Sequence, residues 1–446
     1  MLRRSKGMLF SVMMVLAASA LVAAGSSRAQ LRSKLHNGLT RLLDQTGGPV
    51  RAWVLLADKG IASPEAYADA LEEVAADYNP RAIERRRLRR SAPGLFDERD
   101  LPVVQSYVEA VTTTGAQLRV TSRWVNAVSV LANREQLEAI AELAFVRQLQ
   151  PVLRSRLIEP EPIRVGRGGP GRGFYGYAEE QLEQMNLIAV HGAGYTGQGV
   201  VIGILDTGFE RSHEAFNYPG HALNVLAEWD FLNDDGDTSI EPGDDPDQHR
   251  HGTLILGTLG AYYPDSYVGA AYDASFVLTK TEDTTDEYPA EEDYYVAGLE
   301  FVEANGADVA TSSLGYIDWY TQDDLDGQTA VTTIAVNTAT ANGLVCCTAA
   351  GNGYHDGDPD TSHLIAPSDA FQVIACGAAY STGEIAEFSS DGPTADGRVK
   401  PELLAQGVDT ITVWPYDTSG YAYANGTSLS TPLVAGAVAC LAGAHP

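Results

Sequence analysis

Beyond Gly199 the chain alternates short apolar runs with longer stretches of helical period. "VVIGILDTG" (200–208) is apolar until its glycine-flanked end, which predicts a strand buried on both faces. "HGTLILGTLGA" reads as a helix, "ASFVLTKT" as a strand and "AEEDYYVAGLEFVEANG" as a helix. "ADVATSSLG", "LVCCTAAGN" and "AFQVIACGAA" read as strands, with the helical "QTAVTTIAVNTATANG" between the first two and "STPLVAGAVACLAGA" as a final helix. For that last helix, local rules favour Thr431 as N-cap with Pro432 in the first helical position. Strands alternating with helices predict an α/β fold, a doubly wound, mostly parallel sheet with helices on both faces. Ligand sites in such sheets lie at the carboxyl ends of strands.

The N-terminal third is patterned differently. "RAWVLLA" (51–57) predicts a strand. Ser63-Pro64 is a cap followed by proline, opening a helix over "EAYADALEEVAADY". Asn79-Pro80 opens a second helix carrying Arg81, Arg85, Arg86, Arg87, Arg89 and Arg90. "QLRVTSRW" and "NAVSVLA" are β-like, Asn133 and Gln136 form a capping box for "REQLEAIAELA", and "FVRQLQPV" closes as a strand. The order predicts a small α+β domain. Residues 154–177, "RSRLIEPEPIRVGRGGPGRGFYGY", are rich in Arg, Gly and Pro and read as a linker with a processing site. The expected organisation is therefore a leader at 1–29, an α+β domain at 30–153, a linker at 154–177 and the α/β domain at 178–446.

Charge sharpens that division. The 446 residues carry a formal net charge of −29. Residues 178–446 hold 5 Lys and Arg against 42 Asp and Glu, and residues 1–177 hold 25 against 17. An acidic domain repels phosphates, which argues against nucleic acid as a partner. At the N-terminus, Arg3, Arg4 and Lys6 precede an apolar stretch, Met8–Ala24, and Ser27-Arg28-Ala29 supplies small residues. This is the pattern of a secretory signal cleaved after Ala29. A membrane anchor is the plainer alternative, but the stretch is short for one. The expectation is a secreted protein, extracellular or periplasmic, with no membrane attachment once the signal is removed. Four cysteines do not make a disulfide scaffold. One bridge involving Cys376 and buried free thiols both fit Cys346, Cys347, Cys376 and Cys440.

Three polar residues sit where chemistry is expected in the α/β region. Asp206 ends the strand "VVIGIL", His251 opens the helix "HGTLILGTLG", and Ser428 lies in "NGTSLSTP". Taken singly, an Asp at a strand end is a loop cap, a His before Gly-Thr a helix-start residue and a serine a cap. Together they occur in the order Asp, His, Ser, that of the subtilisin triad. "VIGILDTG", "HGTLILGTLG" and "GTSLSTPLVAG" resemble the Asp, His and Ser motifs of the subtilisin-like serine proteases, and "TAAGNG" resembles their oxyanion segment. The likeness covers about residues 178–446. Residues 51–153, notably "NAVSVLANREQLEAIAELAFVRQLQPV", resemble the family's inhibitory propeptide.

The resemblance implies a serine endopeptidase made as a zymogen, with Asp206, His251 and Ser428 as the triad and Asn352 in the oxyanion hole. It implies that polypeptide substrate pairs with Ser313-Leu314-Gly315, and that Ala349-Ala350-Gly351 line the pocket for the residue before the scissile bond. Ile365, ahead of Ala366-Pro367, is expected to narrow that pocket. The chain's own propeptide is the expected partner. No cofactor is required for the chemistry. Structural calcium is common in the family, and the loop 234–247, with Asp234, Asp235, Asp237, Asp244, Asp245 and Asp247, is either a calcium loop or a solvated acidic one. "DDLDG" (323–327) poses the same choice. The arginine helix at 81–90 is either a solvated basic face or a surface that docks on the acidic domain. Glu402 and Gln406 depart from the family's usual Asp and Pro. The final "AGAHP" follows directly on the serine helix, so a C-terminally incomplete domain is expected. The alternative is a catalytically inactive relative acting as a binding module, or a peptidase used only for its own maturation.

Overall fold

The computed structural model describes residues 33–152, 162–165, 173–284, 291–317, 320–356, 358 and 360–445. The signal-like segment 1–29 and much of 154–177 lie outside them. The chain forms two compact units. One gathers the described residues up to Ile61 with Pro102–Val152. The other gathers Ala62–Leu101 with the residues beyond 152.

The first unit is a four-stranded antiparallel sheet in the order Gln117–Ser122, Ala127–Ala132, Val50–Leu56, Val146–Pro151. Helices Asn37–Thr46, Gln105–Thr113 and Arg134–Glu142 close its core, in which Leu39, Val54, Val130, Leu137 and Leu149 are fully buried. The expected capping box forms: Asn133 Oδ1 accepts from Gln136 N at 3.0 Å, and Gln136 Oε1 accepts from Asn133 N at 2.8 Å. The helix Gln105–Thr113 was not legible because Val104 precedes it and makes no side-chain cap.

In the second unit, α1 (Pro64–Ala76) and α2 (Pro80–Arg89) begin as their caps predict, with Ala66 N donating to Ser63 Oγ and Arg81 N donating to Asn79 Oδ1. Sequence order places these helices inside the α+β domain. Their contacts place them with the α/β domain instead.

Seven strands make the central sheet of that domain: β1 (Val201–Asp206), β2 (Asn224–Asp230), β3 (Ser275–Lys280), β4 (Val309–Ser312), β5 (Val345–Ala349), β6 (Ile374–Ala379) and β7 (Leu403–Gln406). The order is β7-β6-β5-β4-β1-β3-β2 and every pairing is parallel. Edge strand β2 was missed because it is only partly buried and mixes polar with apolar residues, with Asn224 and Leu226 exposed, whereas the buried strands read as apolar runs. The longer helices on the sheet among the described residues are α3 (Arg250–Gly260), α4 (Glu292–Ala304), α5 (Val331–Ala341) and α6 (Thr427–Ala444). Helices α3 and α6 pack together over Ile202, Ile204, Cys347 and Cys376. Helices α4 and α5 pack against each other, α4 against β1 and β3 and α5 against β5. All four cysteines are buried free thiols, and burial pushes the Cys346 and Cys440 thiols up to about 12. They serve as apolar packing atoms.

Two local expectations change. Helix α6 starts at Thr427, so Thr431 is not its cap and Pro432 lies inside the helix. The Thr431 hydroxyl bonds back to Thr427 O at 2.7 Å. Within the linker, Ile163–Val165 forms a strand on Tyr421–Ala424, too short to read from three residues.

Candidate active site

Parallel strands carry their loops at one end of the sheet, and the connections from β1 and β4 depart in opposite directions. This switch point is where a doubly wound sheet opens a crevice. Asp206 is the last residue of β1 and Ser313 follows the last residue of β4.

Asp206 is fully buried. Its Oδ1 accepts from Thr207 N at 2.8 Å and lies 2.6 Å from His251 Nδ1, while Oδ2 is buried with no hydrogen-bond partner among the described residues. His251 reaches it because Gly252 lets α3 abut the strand end. A Cβ at Gly252 would lie 2.2 Å from Gly208 O and 3.2 Å from Asp206 Cβ, so no larger residue fits. Thr207 Oγ1 then accepts from Gly252 N at 3.2 Å, tying the first turn of α3 to the loop after β1. Thr207 was not singled out in the sequence, where it reads only as part of the Asp motif.

Ser428 is in the first turn of α6, after Gly426 with φ +146°. Its Oγ donates to Ser313 O at 3.3 Å. Its carbonyl explains the internal proline. A helical carbonyl accepts from the N–H four residues on, but here that residue is Pro432, which has none. Ser313 Oγ donates to Ser428 O instead, at 2.9 Å. One turn of backbone is thus completed by a side chain from the loop after β4, and the two serines are held reciprocally. On the other side, Asn352 Oδ1 accepts from both Thr427 N and Thr427 Oγ1 at 2.9 Å. The first turn of α6 is therefore fastened to the segments after β4 and β5.

Those two segments form walls on either side of Ile365. Tyr316 pairs with Ala366, and Ile365 N donates to Ala350 O at 3.3 Å. Ile365 is thereby pinned between the walls. A Cβ at Gly315 would lie 2.0 Å from Ile365 Cδ1, and one at Gly351 would lie 3.2 Å from Ile365 Cγ1. Leu314, Ala349 and Ala350 are buried, while Ile365 keeps part of its surface open.

The acidic loop converges differently from expectation. Among the described residues, Asp230, Asp235 and Glu241 bring carboxylate oxygens within 4.8 Å of one another. Lys280 Nζ lies 2.7 Å from both Asp230 Oδ2 and Asp244 Oδ2. Asp237 bonds Ser239 and Asp247 accepts from Tyr416 Oη. In "DDLDG", Asp324 closes a capping box with Thr321 and Asp326 accepts from Gln328 N and Thr329 N, so those carboxylates hold backbone.

The profile of the subtilase family matches residues 197–446, more than half of the chain. The chain belongs to the subtilase family. Residues 51–161 match the peptidase S8 propeptide domain of Bacteroidota. Subtilisin E of Bacillus subtilis (strain 168) is 33% identical over 266 residues, covering 59% of this chain and 61% of that protein. An alkaline protease of Alkalihalobacillus alcalophilus is 28% identical over 333 residues, 72% of this chain and 76% of the relative. The chain thus spans about 61% of the length of subtilisin E. Among solved structures, fervidolysin from Fervidobacterium pennivorans, described as a keratinolytic enzyme related to subtilisin, aligns with TM-score 0.57 at 20% identity, over 77% of this chain and 54% of that one. It supports the fold.

Ser313→Ala in this subtilase removes the donor to a buried carbonyl. The expected loss is about 1–3 kcal/mol of stability, read as a lower denaturation midpoint in urea. A midpoint equal to the parent's would show that the bond does no work.

Proposed function

We propose that this subtilase is a secreted serine endopeptidase, made as a zymogen and released from its propeptide by its own cleavage within about residues 150–178. The observation that carries the catalytic reading is the 2.6 Å contact of His251 Nδ1 with buried Asp206 at the end of β1, together with a Ser428 held at the start of a helix and bonded to the loop after the neighbouring strand β4. Ser428 Oγ attacks the scissile carbonyl while His251 Nε2 takes its proton. Asp206 holds the imidazole tautomer and stabilises the imidazolium. Its desolvated carboxylate makes that stabilisation stronger than it would be in water. The tetrahedral oxyanion accepts from Ser428 N–H, a donor that helix starts leave unmatched, and from Asn352 Nδ2. With Oδ1 engaged by Thr427, Nδ2 is the end of the Asn352 amide that can meet the oxyanion. The C–N bond breaks as His251 returns the proton to the amine. Water then attacks the acyl-Ser428 ester by the same route, regenerating the serine and releasing the acid.

Substrate lies extended along Ser313-Leu314-Gly315, adding a strand by backbone hydrogen bonds. A carbonyl at Ser428 sends the side chain of its own residue between the walls Ser313–Gly315 and Ala349–Gly351. Ile365 occupies the depth of that slot, so small side chains are preferred there. For calcium, Asp230, Asp235 and Glu241 are hard oxygen donors of the right chemistry. They would hold the ion as a structural element, with Lys280 already neutralising part of the charge.

A fluorophosphonate probe is expected to label the processed protein at Ser428, with labelling lost in Ser428→Ala. A processed form that never labels would instead favour the inactive binding relative. Asn352→Ala is expected to lower kcat about 10²- to 10³-fold, an effect size borrowed from subtilisin. Peptide amides with Ala before the scissile bond are expected to be cut faster than those with Phe, and Ile365→Gly to shift that ratio toward Phe by about 10- to 100-fold. An unchanged ratio places Ile365 outside the slot. Millimolar calcium is expected to raise the thermal midpoint over that in chelator, and Asp235→Asn to reduce the rise. Equal midpoints count against the calcium site.

A further inference from the structure

Helix α2 presents its arginines to the carbonyl ends of α4 and α5. Arg85 and Arg86 have fully buried side chains, and so does their shared partner Glu303 near the end of α4. Arg85 bonds the Glu303 carboxylate and also donates to the backbone carbonyls of Glu303 and Ala307. Arg86 Nε donates to Glu303 Oε1 at 3.0 Å, and its Nη2 reaches Asp100 Oδ1 at 2.7 Å. Just beyond α5, Arg85 Nε donates to Asn342 O and Arg90 bonds Asn342 Oδ1. Ser91 N donates to Ala341 O at 3.0 Å.

The last carbonyls of a helix have no helical donors and carry the negative end of its dipole. Here guanidinium groups from a third helix complete two such ends at once. The glycines just past these ends make room. Gly306 and Gly343 both have φ +83°, and a Cβ on either would lie 2.8 Å from Arg81 Cβ or Arg89 Cβ respectively. Outside this core, Arg81 and Arg89 grip the two oxygens of Asp308, each at 2.8 Å, and Asp308 Oδ2 also accepts from Val201 N at the start of β1. The contact therefore reaches the strand that ends in Asp206.

We propose that this arginine-faced helix is the anchor that keeps the N-terminal segment bound to the peptidase after the connecting chain has been cut, so that release requires withdrawing Arg85 and Arg86 from the Glu303 socket. The inference rests on the propeptide reading above but not on catalysis. The charges balance only when both sides are present: Asp100, on the N-terminal side itself, answers one of the two buried guanidiniums, and Glu303 of the peptidase answers the other. Removing one partner leaves a buried charge unmatched, which is far costlier than replacing the whole set by apolar groups. Withdrawal of the intact helix returns each charge to water, so the anchor is releasable.

The test uses the full chain carrying Ser428→Ala and a foreign-protease recognition sequence within residues 166–172, cut by that protease. Release of the N-terminal fragment is followed by size-exclusion chromatography after dilution. Glu303→Gln, and separately Arg85→Met with Arg86→Met, are expected to speed release at least about 100-fold. Arg81→Gln, at a half-exposed pair, should change it less than tenfold. Release at the parental rate in the folded Glu303→Gln or double-Met protein overturns the proposal. Should those variants fail to fold, hydrogen exchange on the cut chain with an unaltered socket decides. The amides of Arg81–Arg89 should lose protection only with release, and loss of protection while the fragment stays bound overturns the anchor. Because the chain lacks the Ser428 hydroxyl throughout, failure here leaves the endopeptidase reading intact, and failed probe labelling leaves the anchor intact.

Discussion

Two parallel strands, Val201–Asp206 and Val309–Ser312, lie side by side in the middle of the sheet, and the chain leaves them in opposite directions. Parallel strands present all their carboxyl ends on one edge, and where the connections diverge no helix covers that edge. Asp206 and Ser313 stand on either side of the opening. The buried sheet beneath gives neither strand freedom to slip, because a shift of one residue would carry its side chains to the wrong face.

The serine turn depends on that frame. A proline inside a helix normally costs a hydrogen bond and about 3 kcal/mol. Here the carbonyl it abandons belongs to Ser428, and the loop after β4 supplies the substitute donor through Ser313. Asn352, after β5, holds the neighbouring Thr427. The start of α6 is thus stitched to two strands rather than stabilised by a conventional cap. That is why its length and apolarity describe a core helix, two thirds buried, even though they would suffice for a membrane span. Positional precision at the serine comes from the sheet through side-chain donors.

Charge organises the molecule on a larger scale. The excess of carboxylates beyond residue 178 is spread over loops that mostly use them locally, on backbone N–H groups and hydroxyls. Two of their groupings among the described residues are answered by buried basic side chains. One is the loop around Asp230, where Lys280 answers. The other is the paired ends of α4 and α5, where the answering charges come from Ala62–Leu101, on the far side of the linker in sequence. An acidic domain and a basic helix are legible as composition. Which arginines become buried, and on which carboxylate, is not.

The sequence by itself determined the alternating strand and helix order, the parallel sheet, the caps at Ser63, Asn79 and Asn133, and the positions of Asp206, His251, Asn352 and Ser428. All of these are written in periods of a few residues or in short motifs whose chemistry is local. Only the tertiary structure decided where α6 begins, since Thr431-Pro432 obeys the cap rule but Ser313, over a hundred residues away, makes an earlier start affordable in hydrogen bonds. It alone recruited the polar edge strand Asn224–Asp230, assigned α1 and α2 to the larger unit, set Ile365 between Gly315 and Gly351, and gathered Asp230, Asp235 and Glu241. Each of those outcomes depends on a partner distant in sequence, and no local pattern encodes the identity of a distant partner.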